Sequence, residues 1–181
     1  MKRFAFFSLL ALSLFMTASV GLPTNSSAEE FDYLVEMAQT YVKNKNFDGA
    51  TSLYLLPPAS SPERRTEELS SIKEALTVLS REFGDVNGFV VNEEPVQWFE
   101  MIITGGDIDF LKKNSNFNQI SYKTDFSKVG PGFIIFQVYE NNGNQKLRGI
   151  GYALPENQDN VKVIQAIAGE LMRAMKSRAE Q

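Results

Sequence analysis

The spacing of apolar side chains changes period once along this chain, and the change separates two kinds of structure. After Phe31, the positions Leu34, Ala38, Tyr41 and Val42 recur at the three-and-four spacing of one helical face. That spacing predicts a helix over residues 30–43, broken by Asn44 and Asn46. A short second helix is expected over 47–55, halted by Pro57-Pro58. The third is the most clearly signalled. Ser61 is placed as its N-cap, Pro62 suits the first helical position, and Glu63 favours the positive N-terminal end. Leu69, Ile72, Leu76, Leu79 and Phe83 form its apolar stripe, Glu68 falls on the face expected to be exposed, and Gly84 is suited to end it.

From Asn87 the period falls to two. Residues 89–92 and 96–104 read as strands, the second apolar on both faces. Ile120, Tyr122, Thr124 and Phe126 alternate with Ser121, Lys123 and Asp125, as in a strand with one wet face. Gly130-Pro131-Gly132 reads as a turn before a strand over 133–140. Asn141-Asn142-Gly143-Asn144 is a hairpin signal leading into a strand over 146–154. An amphipathic helix over 160–178 closes the pattern, with Val161, Ile164, Ala168, Leu171 and Met175 on one face, widened by Ile167 and Met172. Residues 105–118 fit no element and are expected to form a loop with one helical turn at 108–111. The order predicts an α+β fold: N-terminal helices packed on a curved antiparallel sheet of about five strands, plus a C-terminal amphipathic helix.

The N-terminal end reads as an export signal. Lys2 and Arg3 precede an apolar run over 4–16, Pro23 breaks the helix, and Ser26-Ser27-Ala28 places small residues before Glu29. Residues 1–28 are therefore expected to be removed, leaving 29–181 as a single exported domain, periplasmic or secreted, of bacterial type. No later segment is apolar enough to span a bilayer, so no transmembrane span is expected after cleavage. A domain of this size buries enough surface to fold without disulfides. Removal of Lys2 and Arg3 leaves 16 basic against 22 acidic side chains, a net charge of −6. An acidic surface without a basic stripe argues against nucleic acid as a partner.

The chain contains no histidine and no cysteine. That excludes thiolate chemistry, lipidation through cysteine, histidine acid–base catalysis and the ligands that dominate transition-metal sites. No catalytic residue, metal site or cofactor is assigned. Ser70-Ser71-Ile72-Lys73 matches the S-x-x-K of penicillin-binding proteins, but its companion motifs are missing, Lys123-Thr124-Asp125 being only a near miss. Asp107 and Asp109 lack the further oxygen ligands of a calcium loop. Glu93, Glu94 and Glu100 could in principle supply a glycosidase pair, yet spacing singles out none. Weak cleft candidates are Trp98, Glu100, Tyr122, Tyr139, Arg148 and Tyr152, with Gln137 beside them. If the face shared by Trp98, Glu100 and Ile102 is buried, Glu100 needs a partner such as Arg148 or Tyr122.

The run Asn46-Phe47-Asp48-Gly49-Ala50, then Leu53-Tyr54-Leu55-Leu56-Pro57, then a capped helix ending Glu82-Phe83-Gly84 resembles the opening of nuclear transport factor two-like, cystatin-fold domains. The resemblance spans residues 30–154 and implies helices laid across a bent sheet around an apolar pocket. That superfamily includes isomerases, dehydratases, dimerising scaffolds and immunity proteins, and its enzymes place a Tyr–Asp or His–Asp pair in the pocket. Fold alone does not choose among these. The expected function is a non-enzymatic binding or interaction domain for a small apolar ligand or a protein partner, with sheet-mediated homodimerisation as one form. The alternatives are a carboxylate- and tyrosine-dependent hydrolase or isomerase, and an envelope assembly subunit docking through its last helix.

The processing expectation has a direct check. N-terminal sequencing of exported material should begin at Glu29, and recovery of full-length chain in the membrane fraction would reject cleavage.

Overall fold

A computed structural model describes residues 32–58, 61–93, 98–105, 117–141, 144–155 and 157–179. The expected export signal and the helical turn at 108–111 lie outside the described residues. Helix α1 (Asp32–Lys43) buries Leu34, Val35, Ala38 and Val42 along one stripe. Helix α2 (Phe47–Ser52) is capped by Asn46, whose Oδ1 accepts from the Gly49 amide at 3.0 Å. It stops three residues short of the expected end because Leu53 to Leu55 bond elsewhere. The Leu147 amide donates to Leu53 O (2.8 Å), and the Leu55 amide donates to Leu147 O (2.6 Å).

Helix α3 (Pro62–Phe83) begins as the sequence predicts, with Ser61 Oγ accepting from the Arg64 amide at 3.2 Å. Its buried stripe runs Glu68, Ile72, Ala75, Leu76, Leu79 and Phe83. This corrects the expectation for Glu68, which is 5% exposed, while Leu69 is only half-buried. Both residues stand one turn before Ile72, and the inward position falls to the glutamate. Arg64, one turn earlier, reaches its Oε1 at 3.2 Å, so the inward carboxylate carries a counter-charge.

The sheet consists of β1 (Val90–Val91), β2 (Trp98–Gly105), β3 (Phe117–Phe126), β4 (Gly130–Asn141) and β5 (Asn144–Pro155), in the order β1-β3-β4-β5-β2, with all pairs antiparallel. β1 is a two-residue edge, so four long strands carry the sheet. β3 and β4 start earlier than the alternation suggests because their ladder continues from Phe117↔Tyr139 to Phe126↔Gly130. The chain reverses at residues 127–129, not at Gly130-Pro131-Gly132. Gly130 opens β4 with a φ of 81°, a conformation that glycine adopts without strain. Pro131 then pairs opposite Asp125, beyond the end of the β4–β5 ladder, so its missing N–H breaks no bond on that side. The Asn141↔Asn144 pair leaves two residues for the β4–β5 connection, as the asparagine–glycine signal implies. Helix α4 (Gln158–Ala179) follows β5 and buries Ile164, Ile167, Ala168 and Leu171.

The four described helices and one face of the sheet contribute to a single apolar core. Its centre is aromatic. Phe83, the last residue of α3, lies 4.8 Å from Phe126 and 5.1 Å from Tyr152, and those two rings stack at 5.8 Å. Immediately after Phe83 the backbone is bonded to the β3–β4 turn. The Lys128 amide donates to Phe83 O (3.1 Å), the Ser127 amide to Asp85 O (3.0 Å), and the Asp85 amide to Ser127 Oγ (2.8 Å). Gly84 makes this approach feasible, since its φ is 88° and a Cβ there would collide with Ser127 Oγ and the Lys128 backbone.

Two substitutions test this account by chemical denaturation. Leu76→Ala, at a fully buried position, should cost about 2–5 kcal/mol. Gly84→Ala should cost about 1–3 kcal/mol from backbone strain alone. A neutral Gly84→Ala would show that the helix–turn junction is not close-packed.

Candidate binding site

Cross-strand partners in an antiparallel ladder share a face, and neighbours along a strand alternate. Tyr122, paired with Ile134, and Tyr152, also paired with Ile134 from the other side, therefore lie on the inner face against the helices. Gln119 and Gln137 form a pair on the opposite, outer face, and Phe117 and Tyr139 form the next pair on that face. The cleft candidates are thus divided between two faces, with Tyr122 and Tyr152 inside and Tyr139 and Arg148 outside. The backbones of Trp98 and Glu100 lie opposite Pro155 and Leu154, with a register shift between them. Glu100 and Arg148 are separated along β5 by the six positions from Leu154 back to Arg148. At ~3.3 Å per residue that is about 20 Å of strand, farther than an ion pair spans.

The inner candidates are packing groups. Tyr122 meets the Phe89 and Phe136 rings edge-on, each at 5.9 Å. Tyr152 is wholly buried, its hydroxyl has no hydrogen-bond partner, and burial pushes the phenol's pKa above its ordinary value. Such a group stays protonated throughout the physiological range and, among the described residues, has no hydrogen-bond partner with which to exchange a proton.

Arg148 is different. The β4–β5 register slips so that Gln137 faces Gly149 and Val138 faces Leu147, which leaves Arg148 as the extra residue of a bulge. A bulge re-aims the side chain it carries. Arg148 Nη1 donates to Gln137 Oε1 at 2.7 Å, and Gln137 Nε2 donates in turn to Gln119 Oε1 at 3.4 Å. The guanidinium carbon stands 4.2 Å from the centroid of the Phe117 ring, a cation–π contact. The Nε is buried with no acceptor. No carboxylate pairs with Arg148 among the described residues, whose ion pairs lie elsewhere. Desolvation accordingly lowers its pKa, although a guanidinium remains charged at any physiological pH.

Phe117 and Gln119 were not marked by the sequence, because the start of β3 was read as loop. A signal bearing on the bulge was nonetheless present: glycines, Gly149 and Gly151, inside a strand pattern. A separate open depression of about 300 Å³ lies between α2, α3 and the β4–β5 hairpin, lined by Thr51, Tyr54, Leu56, Arg65, Leu69 and Lys146 among others. Its Arg65 is bonded to Pro58 O at 3.3 Å. Among the described residues no cluster of three carboxylates could hold a metal ion, and no helix is long and apolar enough to cross a membrane.

No family model, no curated protein and no solved structure matches this chain.

The status of Tyr152 can be measured directly. An unsatisfied buried hydroxyl costs about 1–3 kcal/mol, so Tyr152→Phe should leave stability unchanged or raise it. A clear loss of stability would show that the hydroxyl has a bonding role in the core.

Proposed function

We propose that this protein is an exported, non-enzymatic binding domain that recognises its ligand on the outer face of its sheet. In this reading the fold is of the cystatin-like kind, with the N-terminal helices laid across a curved sheet of five strands. The inner face, where Ile134, Phe136, Ile150 and Tyr152 have no exposed surface, is core. On the outer face Ile135 and Ala153 are equally buried, and the working part is the half-exposed end around Phe117, Tyr139 and Arg148.

The observation that carries the reading is that the charge of Arg148 has no carboxylate partner among the described residues. Partly desolvating a cation is unfavourable unless an opposite charge accompanies it. Elsewhere this chain supplies one: the inward Glu68 has Arg64. Arg148 instead has an amide, an aromatic ring and an unmet buried donor. A group retained against stability is what a binding site requires, because sites trade stability for recognition. A hydrolase or isomerase would need a polarised proton-transfer pair, and among the cleft candidates Tyr152 has no polar partner.

Replacing Arg148 with methionine separates a ligand-binding role from a structural one. Methionine keeps the unbranched stem and removes the charge. The unfolding midpoint should stay within about 2–4 °C of the parent or rise, that interval being ~1 kcal/mol for a domain of this size. A fall well beyond that interval would make Arg148 a structural strut and overturn the proposal.

A further inference from the structure

We infer that Arg148 anchors a carboxylate, and that the Phe117 and Tyr139 rings receive the apolar or aromatic group that carries it. The inference rests on the outer-face reading above and names the ligand class of that site.

The charge at the site sets the first constraint. Arg148 presents one positive charge, in a chain whose acidic side chains outnumber its basic ones by 22 to 18. A phosphate monoester carries −1.5 to −2 near neutral pH and is usually met by several cations or by a row of backbone amides. A singly charged group suits one guanidinium. Planarity sets the second. Guanidinium and carboxylate are both flat and bond through two parallel N–H···O contacts. One Nη1 proton is spent on Gln137, which fixes the plane of the group, and Phe117 fixes it again from the side. The terminal edge, carrying the second Nη1 proton and Nη2, remains for the ligand. The Nη2 atom carries none of the hydrogen bonds or ion pairs that the structure assigns to Arg148.

The neighbouring residues set the third constraint. Phe117 and Tyr139 face each other across β3 and β4 and are both only partly buried. Gln119 and Gln137, the next pair, bond to each other, and Gln137 also accepts from the arginine. The glutamine pair is thus engaged with itself and the guanidinium, and the rings at the rim are left to apolar contact. A ligand matching this surface has one carboxylate adjoining an apolar or aromatic body. A small organic acid has that chemistry, and so does a peptide chain ending in an apolar residue.

The test uses the whole mature chain and 4-phenylbutyrate, 4-phenylbutyramide and phenyl phosphate as probes, read by NMR at the Arg148 Nε–H and the Phe117 ring. 4-Phenylbutyrate should shift both signals saturably, with the amide and the phosphate weaker by about tenfold or more. Arg148→Lys should weaken 4-phenylbutyrate by a similar factor, since it keeps the charge and loses the fork. Phe117→Leu should also weaken it, in a protein whose circular dichroism and unfolding midpoint confirm folding. A peptide ending in phenylalanine, compared with its C-terminal amide, identifies the source: binding by the free acid tighter than 4-phenylbutyrate assigns a chain terminus, weaker binding a small acid. Equal binding of acid and amide would overturn the inference. Tighter binding of phenyl phosphate would overturn it while leaving the outer face as a binding surface. Silence from every probe at Arg148 would overturn the carboxylate assignment, and the Arg148→Met midpoint would then decide separately whether the outer-face reading survives.

Discussion

The architecture depends on one junction, where the end of α3 meets the turn between β3 and β4. Phe83 packs its ring against both Phe126 and Tyr152, and within the next two residues the backbone exchanges three hydrogen bonds with Ser127 and Lys128. Packed helix and sheet layers ordinarily meet through side chains, which specify separation but tolerate sliding. Here main-chain bonds fix the register. Lys45, just beyond α1, reaches Asp85 at 2.6 Å, and Lys128 Nζ donates to Arg81 O at 2.7 Å, so the helical segments are tied to the same point. The lysine holds the Asp85 carboxyl below its ordinary pKa range. Because that pair is exposed, it orients the junction more than it stabilises it.

With the inner face committed to this packing, the outer face is where the chain departs from simple core-building. Among the described residues Glu68 and Arg148 both carry charge withdrawn from bulk water, and they are treated differently. Glu68 turns inward on α3 and receives Arg64 from one turn away, a pairing that helical spacing supplies automatically. Arg148 sits on a strand, at a bulge, where no such spacing delivers a carboxylate. Its neighbours are a glutamine pair and a phenyl ring, which hold the guanidinium in place without neutralising it. That arrangement leaves a positioned, partly dehydrated charge at the sheet surface.

Much of the framework was legible in the sequence because it follows from local physics. Ser61, Pro62 and Gly84 mark the ends of α3 by capping chemistry that needs no tertiary partner. The asparagine–glycine run marks the β4–β5 hairpin in the same way. The misreadings arise where distant residues decide. Gly130-Pro131-Gly132 looks like a turn in isolation, yet the β3–β4 ladder carries pairing through Pro131 and moves the reversal to 127–129. Leu53 to Leu55 continue a helical pattern but are recruited by Leu147. Glu68 and Leu69 compete for one inward position, and hydropathy favours the wrong one because Arg64 changes the cost. At the candidate site Arg148 and Tyr139 were visible as strand residues of unusual type. Their separation from Tyr122 and Tyr152 follows from a face assignment that requires the actual pairing.

The two hydrogen bonds between Leu147 and the Leu53–Leu55 segment also govern when the chain can become a protein. They join positions more than ninety residues apart, so everything between must be made before α2 gains its sheet contact. Closing a loop of that length carries a chain-entropy cost of about 4 kcal/mol from its length dependence alone. Contacts of such high sequence separation slow folding. The N-terminal helices consequently have no finished surface to dock on while synthesis is under way, and the early chain stays open.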